Sequence, residues 1–85
     1  MKLNLDKVDI MYGALIDGDT YKYGWYKSGK AFIAKNGEVM TYKQAYKEFV
    51  PKHSYNLYDA FYDGATRYPK TIGGIIRFLI DKYNK

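Results

Sequence analysis

Chemistry in this chain would have to come from a short set of side chains. His53 is the only histidine, set between Lys52 and Ser54. A serine–histidine pair needs a third group to orient the base, and no neighbouring residue supplies one. Its reading is a loop or cap residue. Asp59 and Asp63 stand four apart, a spacing that would put paired carboxylates on one helix face for acid–base work. Nothing around them would raise either pKa, so a solvated face is the better account. Asp17-Gly18-Asp19 has the opening of a calcium loop but lacks the further oxygen ligands and closing glutamate, and reads as a turn. One histidine and no cysteine cannot furnish a zinc ligand set. No catalytic residue, metal ligand or cofactor is therefore expected, and the chain is not expected to be an enzyme.

Two groups have the character of anion sites. Lys43 and Lys47 share one face of a predicted helix, spaced to meet phosphates or acidic side chains, or simply to face water. Arg67, Lys70, Thr71, Gly73 and Gly74 lead into the start of another. Free N–H groups at such an end attract anions, and glycine lets them approach. The glycine spacing is not that of a phosphate loop. The competing account is that both glycines allow close packing of the helix.

The elements that must position these residues fit one small domain, residues 1–85. Hydrophobic content of 47% with 27% charged residues belongs to a globular chain rather than a disordered one. No apolar run is long enough to span a bilayer, and MKLNLDKVD has acids where a signal peptide needs apolar residues. An intracellular, cytoplasmic setting is the expectation, with no membrane partner. The net charge of +5 favours acidic protein surfaces, a nucleoprotein complex or nucleic acid. Eleven tyrosines supply large apolar area with polar tips.

The pattern predicts an α+β fold. Alternation over 8–16, then 21–27 and 30–35, gives a three-stranded antiparallel meander with turn signals at Asp17-Gly18-Asp19 and Ser28-Gly29. A helix over 5–16 stays open, since Leu5, Val8, Tyr12 and Leu15 also fit helical spacing. Three helices follow, at 42–50, 55–63 and 72–83, packed on one face. Thr41 and Gln44 have capping-box spacing before the first, and Pro51 stops it. Ser54 and Thr71 are the caps of the others. The stripe Ile72, Ile75, Ile76, Leu79, Ile80 and Tyr83 is the strongest periodicity.

Two-residue loops in both hairpins set Trp25 opposite Phe32 and Tyr23 opposite Ala34, collecting these with Tyr21 and the even residues of 8–16 beneath the helices. A three-residue loop would break that parity. The other face then carries Met11, Leu15, Tyr26 and Ile33 bordered by Lys22 and Lys35, with Gly13 opposite Gly24. An apolar patch rimmed by lysines has the character of a docking surface or a homo-oligomer contact, unless the N-terminal residues or the loop at 64–70 cover it. The composition is similar to that of small accessory proteins of phages and mobile elements, anti-CRISPR inhibitors among them; the similarity names no functional residue. The functional expectation is a non-enzymatic module docking on a macromolecule, a nucleic-acid-handling protein above all, as such an inhibitor would. The alternative is direct nucleic-acid binding through Lys22, Lys35, Lys43, Lys47, Arg67 and Lys70.

Overall fold

Loop length decides which side chains meet in this protein. A computed structural model describes residues 1–51 and 60–84. Strand β1 (Val8–Ile16) returns through Asp17-Gly18 into β2 (Asp19–Tyr26). Both turn residues have positive φ, 51° and 86°. That is the turn whose twist matches antiparallel strands, and it fixes Ile16 against Asp19 and Tyr12 against Tyr23. The strand alternative for residues 8–16 is therefore the correct one, with only Leu5–Lys7 forming a single 3₁₀ turn before it.

The next connection has three residues, Lys27-Ser28-Gly29. The Gly29 N–H donates to Tyr26 O at 2.8 Å, and the Tyr26 N–H to Lys30 O at 2.9 Å. Gly29 sits at φ 91°, completing a type I turn closed by a glycine bulge. The extra residue shifts β3 (Ala31–Lys35) by one position relative to a two-residue loop. Tyr23 now faces Ile33 and Gly24 faces Phe32. Because side chains alternate, a one-residue slip turns the whole strand over. Ile33 is thereby 0% exposed among the core tyrosines, and Phe32 leaves that face. The glycines do not pair either: Gly13 faces Lys22, and Met11 faces Gly24.

Asn36-Gly37 turns the chain into a short fourth strand, β4 (Glu38–Val39), giving the order β1-β2-β3-β4. The N-terminal residues extend this edge. Leu3 N–H donates to Gly37 O at 2.9 Å, Val39 N–H to Met1 O at 2.8 Å, and the terminal ammonium meets Glu38 Oε2 at 2.9 Å. Lys7 O then accepts from the Lys27 N–H at 2.8 Å. Residues 4–7 thus carry the chain from one edge of the sheet to the other. Phe32, on the side away from the helices, is 2% exposed, its ring 4.8 Å from that of Tyr26.

Helix α1 (Tyr42–Phe49) starts at a complete capping box: Gln44 N–H donates to Thr41 Oγ1 at 3.1 Å, and Thr41 N–H to Gln44 Oε1 at 2.9 Å. Val50 caps its C-terminus just before Pro51. Helix α2 (Ile72–Tyr83) is capped by Thr71 and buries Ile75, Ile76, Phe78 and Leu79.

The expectation of a three-stranded meander under three helices does not hold. The first sheet has four strands, and the described residues form two helices. The segment read as a helix over 55–63 lies partly outside the described residues, at 55–59; its remainder is strand β5 (Ala60–Asp63), paired with β6 (Thr66–Pro69). The reason lies in Asp63-Gly64. Read as a helix stop, it is instead the start of a two-residue turn (Gly64 φ 65°) that sets Phe61 against Tyr68, their rings stacked at 5.0 Å. Burial of that aromatic pair outweighs the helical spacing that Phe61 and Tyr62 also fit. Phe61 and Tyr68 then join Tyr21, Tyr23, Ile33, Ala45 and the α2 stripe in one core.

Candidate functional site

The shift in β3 dismantles the patch expected on the open face. Ile33 is in the core, and Lys35 points to the helix side, where its Nζ lies 3.1 Å from Glu48 Oε1 and 3.6 Å from Asp19 Oδ2. Tyr26 is half-buried against Phe32. Met11, Leu15 and Lys22 remain on the face away from the helices.

The structure brings together a different set on β1. Leu15 is 74% exposed, Ile10 45%, Met11 44% and Tyr12 37%. Even and odd positions are both represented, so this is not one face of the sheet but its margin. β1 lies at the end of the strand order. Ile10 and Tyr12 point toward the helix side, where they stay partly exposed; Met11 and Leu15 point the other way.

The backbone polarity of that margin follows from β2. Thr20 O accepts from Asn36 N–H and Tyr26 N–H donates to Lys30 O, so even residues of β2 bond toward β3. By the alternation of antiparallel ladders, Tyr21, Tyr23 and Trp25 bond toward β1, through Ala14, Tyr12 and Ile10. Met11, Gly13 and Leu15 accordingly direct their N–H and C=O groups outward. One of these is occupied: Asn84, capping the C-terminus of α2, donates from Nδ2 to Gly13 O at 3.1 Å. Its Oδ1 accepts from the buried Tyr23 hydroxyl.

The remaining polar groups tie elements together. Tyr21 donates to Glu48, joining β2 to α1, and burial first, then that carboxylate, pushes its pKa up to about 12. Tyr68 donates to Asp81 Oδ2 at 2.8 Å, and burial with that contact raises it as well. Tyr23 is raised by burial and by Tyr83. These hydroxyls stay protonated in the neutral range and serve as struts.

The anion candidates do not converge. Lys43 and Lys47 are exposed on α1. Lys70 Nζ lies 5.3 Å from the centre of the Tyr46 ring, and Arg67 lies over Tyr62 at 5.6 Å. Thr71 Oγ1 accepts from the Gly74 N–H at 3.0 Å. Gly74 answers the packing account: a Cβ there would lie 1.8 Å from Pro69 O, so the helix start fits against β6 only without a side chain. Gly73 is half-buried with no such contact. His53, Ser54 and Asp59 lie outside the described residues, and Asp63 ends β5 rather than sharing a helix face. Among the described residues no three metal-ligating side chains gather, and no helix is long and apolar enough to cross a membrane.

Sequence reasoning found Met11 and Leu15 but placed them on a face. It missed Ile10 and Tyr12, which its periodicity assigned to the core. The signal available was topological: a first strand in a meander is an edge, and its buried-type residues are covered only as far as the helices extend. No protein family model, curated protein or solved structure matches this chain.

Proposed function

We propose that this protein is a non-enzymatic binding module that docks on a protein partner by accepting an extended segment along β1. The observation that carries the reading is the outward-facing backbone of Met11, Gly13 and Leu15, framed by exposed Ile10, Met11, Tyr12 and Leu15. Paired with β2 on one side only, and met on the other among the described residues by Asn84 alone, this nine-residue strand offers a row of donors and acceptors to another backbone, with pockets between alternate side chains giving selectivity. A helix or a nucleic-acid duplex cannot satisfy that row. The charge of +5 favours an acidic occupant and speeds its encounter more than it adds affinity.

The test presents a Thr/Val alternating heptapeptide through a flexible Gly-Ser linker after Lys85, beside Asn84 and hence near Gly13. Tethering raises the effective concentration into the millimolar range, on the order of that of short flexible linkers. Hydrogen exchange at the Met11, Gly13 and Leu15 amides is compared with the same linker lacking the peptide. Selective slowing at these three amides supports docking at the edge, and unchanged exchange overturns it. Sedimentation of the untethered chain addresses a second copy: a dimer with the same amides protected would make the occupant this protein itself. A titration with single- and double-stranded DNA and RNA at two salt concentrations addresses the nucleic-acid alternative, where tight binding that weakens steeply with salt would displace the reading.

A further inference from the structure

The same edge carries a preference for what it binds, and the inference rests on the reading of β1 as the docking strand. We infer that β1 selects a segment with a carboxylate facing Gly13 and apolar side chains two residues to either side. Gly13 is paired with Lys22 on β2, so both positions point away from the helices. Met11 and Leu15 flank Gly13 on that same side. The margin of β1 therefore presents apolar, bare and apolar positions in turn, with a cation behind the bare one.

The bare position matters because of reach. Neighbouring strands lie about 4.8 Å apart, which puts an added strand roughly 10 Å from β2. A side chain on β1 would stand between them. Gly13 has none, and the space above it is open, since a Cβ built there would meet only Tyr21 O at 3.5 Å. A glutamate on the added strand can lie across Gly13 toward the lysine stem extending from Lys22. That lysine is half-buried and is in no salt bridge among the described residues. The nearby cation Lys35, by contrast, is already held by Glu48 and Asp19 on the other face. An acidic occupant thus meets a cation that forms no ion pair among the described residues, and its residues two positions away cover Met11 and Leu15, which are among the most exposed apolar side chains of the sheet.

The experiment uses the full chain and free heptapeptides Thr-Val-Thr-X-Thr-Val-Thr, with X as Glu, Gln or Lys, read by amide shifts of Met11, Gly13 and Leu15. Exposed pairs of this kind are modest, so the Glu peptide is expected to bind roughly three- to tenfold tighter than the Lys peptide at low salt, with the gap narrowing as salt rises. Lys22→Glu reverses the order, and Lys22→Gln levels it. Gly13→Val removes the preference by filling the space the carboxylate would cross. Equal binding of all three peptides to the unaltered chain would overturn this inference while leaving edge docking in place. If none of them shifts these amides, and the tethered peptide leaves their exchange unchanged, edge docking itself fails.

Discussion

Replacing Gly24 by alanine should be among the most damaging small changes available in the sheet. Gly24 faces Met11 next to the irregularity between Val8 and Ile10, where β1 bends inward against β2. A Cβ on Gly24 would sit 1.9 Å from Ile10 O, 2.8 Å from Ile10 C and 3.0 Å from Met11 Cα. All three are backbone atoms, so no side chain can rotate away. Relief requires β1 to retreat by roughly 1 Å over the stretch that holds its ladder, and a packed interior responds to far smaller displacements. Inserting one carbon into a tight site costs about 1–3 kcal/mol, and a backbone obstacle belongs at the upper end. For a domain of this size about 3 kcal/mol lowers Tm by on the order of 12–24 °C. Gly13→Ala is the control, since its Cβ would make an ordinary contact at 3.5 Å and its stability should change by no more than about 0.5 kcal/mol. Thermal and urea unfolding of both variants read the difference. A Gly24→Ala protein as stable as the unaltered chain would refute the close approach, and with it the register of β1 on β2.

Three further outcomes follow from the same coordinates. Ile33→Ala should cost about 2–5 kcal/mol in urea unfolding, because the side chain is fully enclosed, whereas Leu15→Ala should stay within about 0.5 kcal/mol; equal losses would reject the facing of β3. Tyr21, neutral in the fold with its pKa pushed up to about 12 from 10.0, contributes stability that is fully present below pH 10 and lost as pH rises through 12. That loss is about 2–3 kcal/mol, and Tyr21→Phe should flatten the alkaline limb of a stability–pH curve, a limb left unchanged arguing against the buried contact. Asn84→Ala removes the amide on Gly13 O, so the tethered strand should protect the β1 amides about two- to tenfold more strongly, in line with the worth of one competing hydrogen bond. Weaker protection would show that Asn84 assists docking.

How much of this was legible from the residues alone depends on the range of the interaction that decides each element. Helix α1 was, because Thr41, Gln44 and Pro51 settle its ends within one turn of chain. So was α2, whose stripe of isoleucines and leucine repeats at helical spacing beyond any strand pattern. The existence of β1 and β2 was legible from alternation and the Asp17-Gly18-Asp19 turn signal, but not their register, which set Gly13 opposite Gly24 where it faces Lys22. β5 and β6 were not: Phe61 and Tyr68 each fit a helical stripe or a loop when read singly, and only their mutual stacking across the Gly64-Ala65 turn selects the hairpin. Ile33 and Phe32 are adjacent, apolar and β-prone, so nothing local orders them. One residue of loop length, Lys27-Ser28-Gly29 against Ser28-Gly29, decided which went inward. The proposed docking site inherited that ambiguity, and its relocation from face to edge is the consequence.

The two margins of the main sheet differ in a way that bears on function. The β4 margin is protected as edges usually are. That strand has two residues, the N-terminal residues bond along it, and Glu38 binds the terminal ammonium. Among the described residues, the β1 margin lacks those devices. Its nine residues include no lysine and no proline, its one charged side chain, Asp9, falls at the irregularity near its start, and four large apolar side chains stand exposed along it. Such an edge invites indiscriminate pairing unless something limits it. In the proposed reading two features limit it: Asn84 occupies one acceptor, and Lys22 behind Gly13 would repel a basic occupant, including segments drawn from the lysine-rich parts of this chain. A margin that no described strand covers, yet that carries one amide and one cation, fits the proposed reading of a selective acceptor better than that of an unfinished edge.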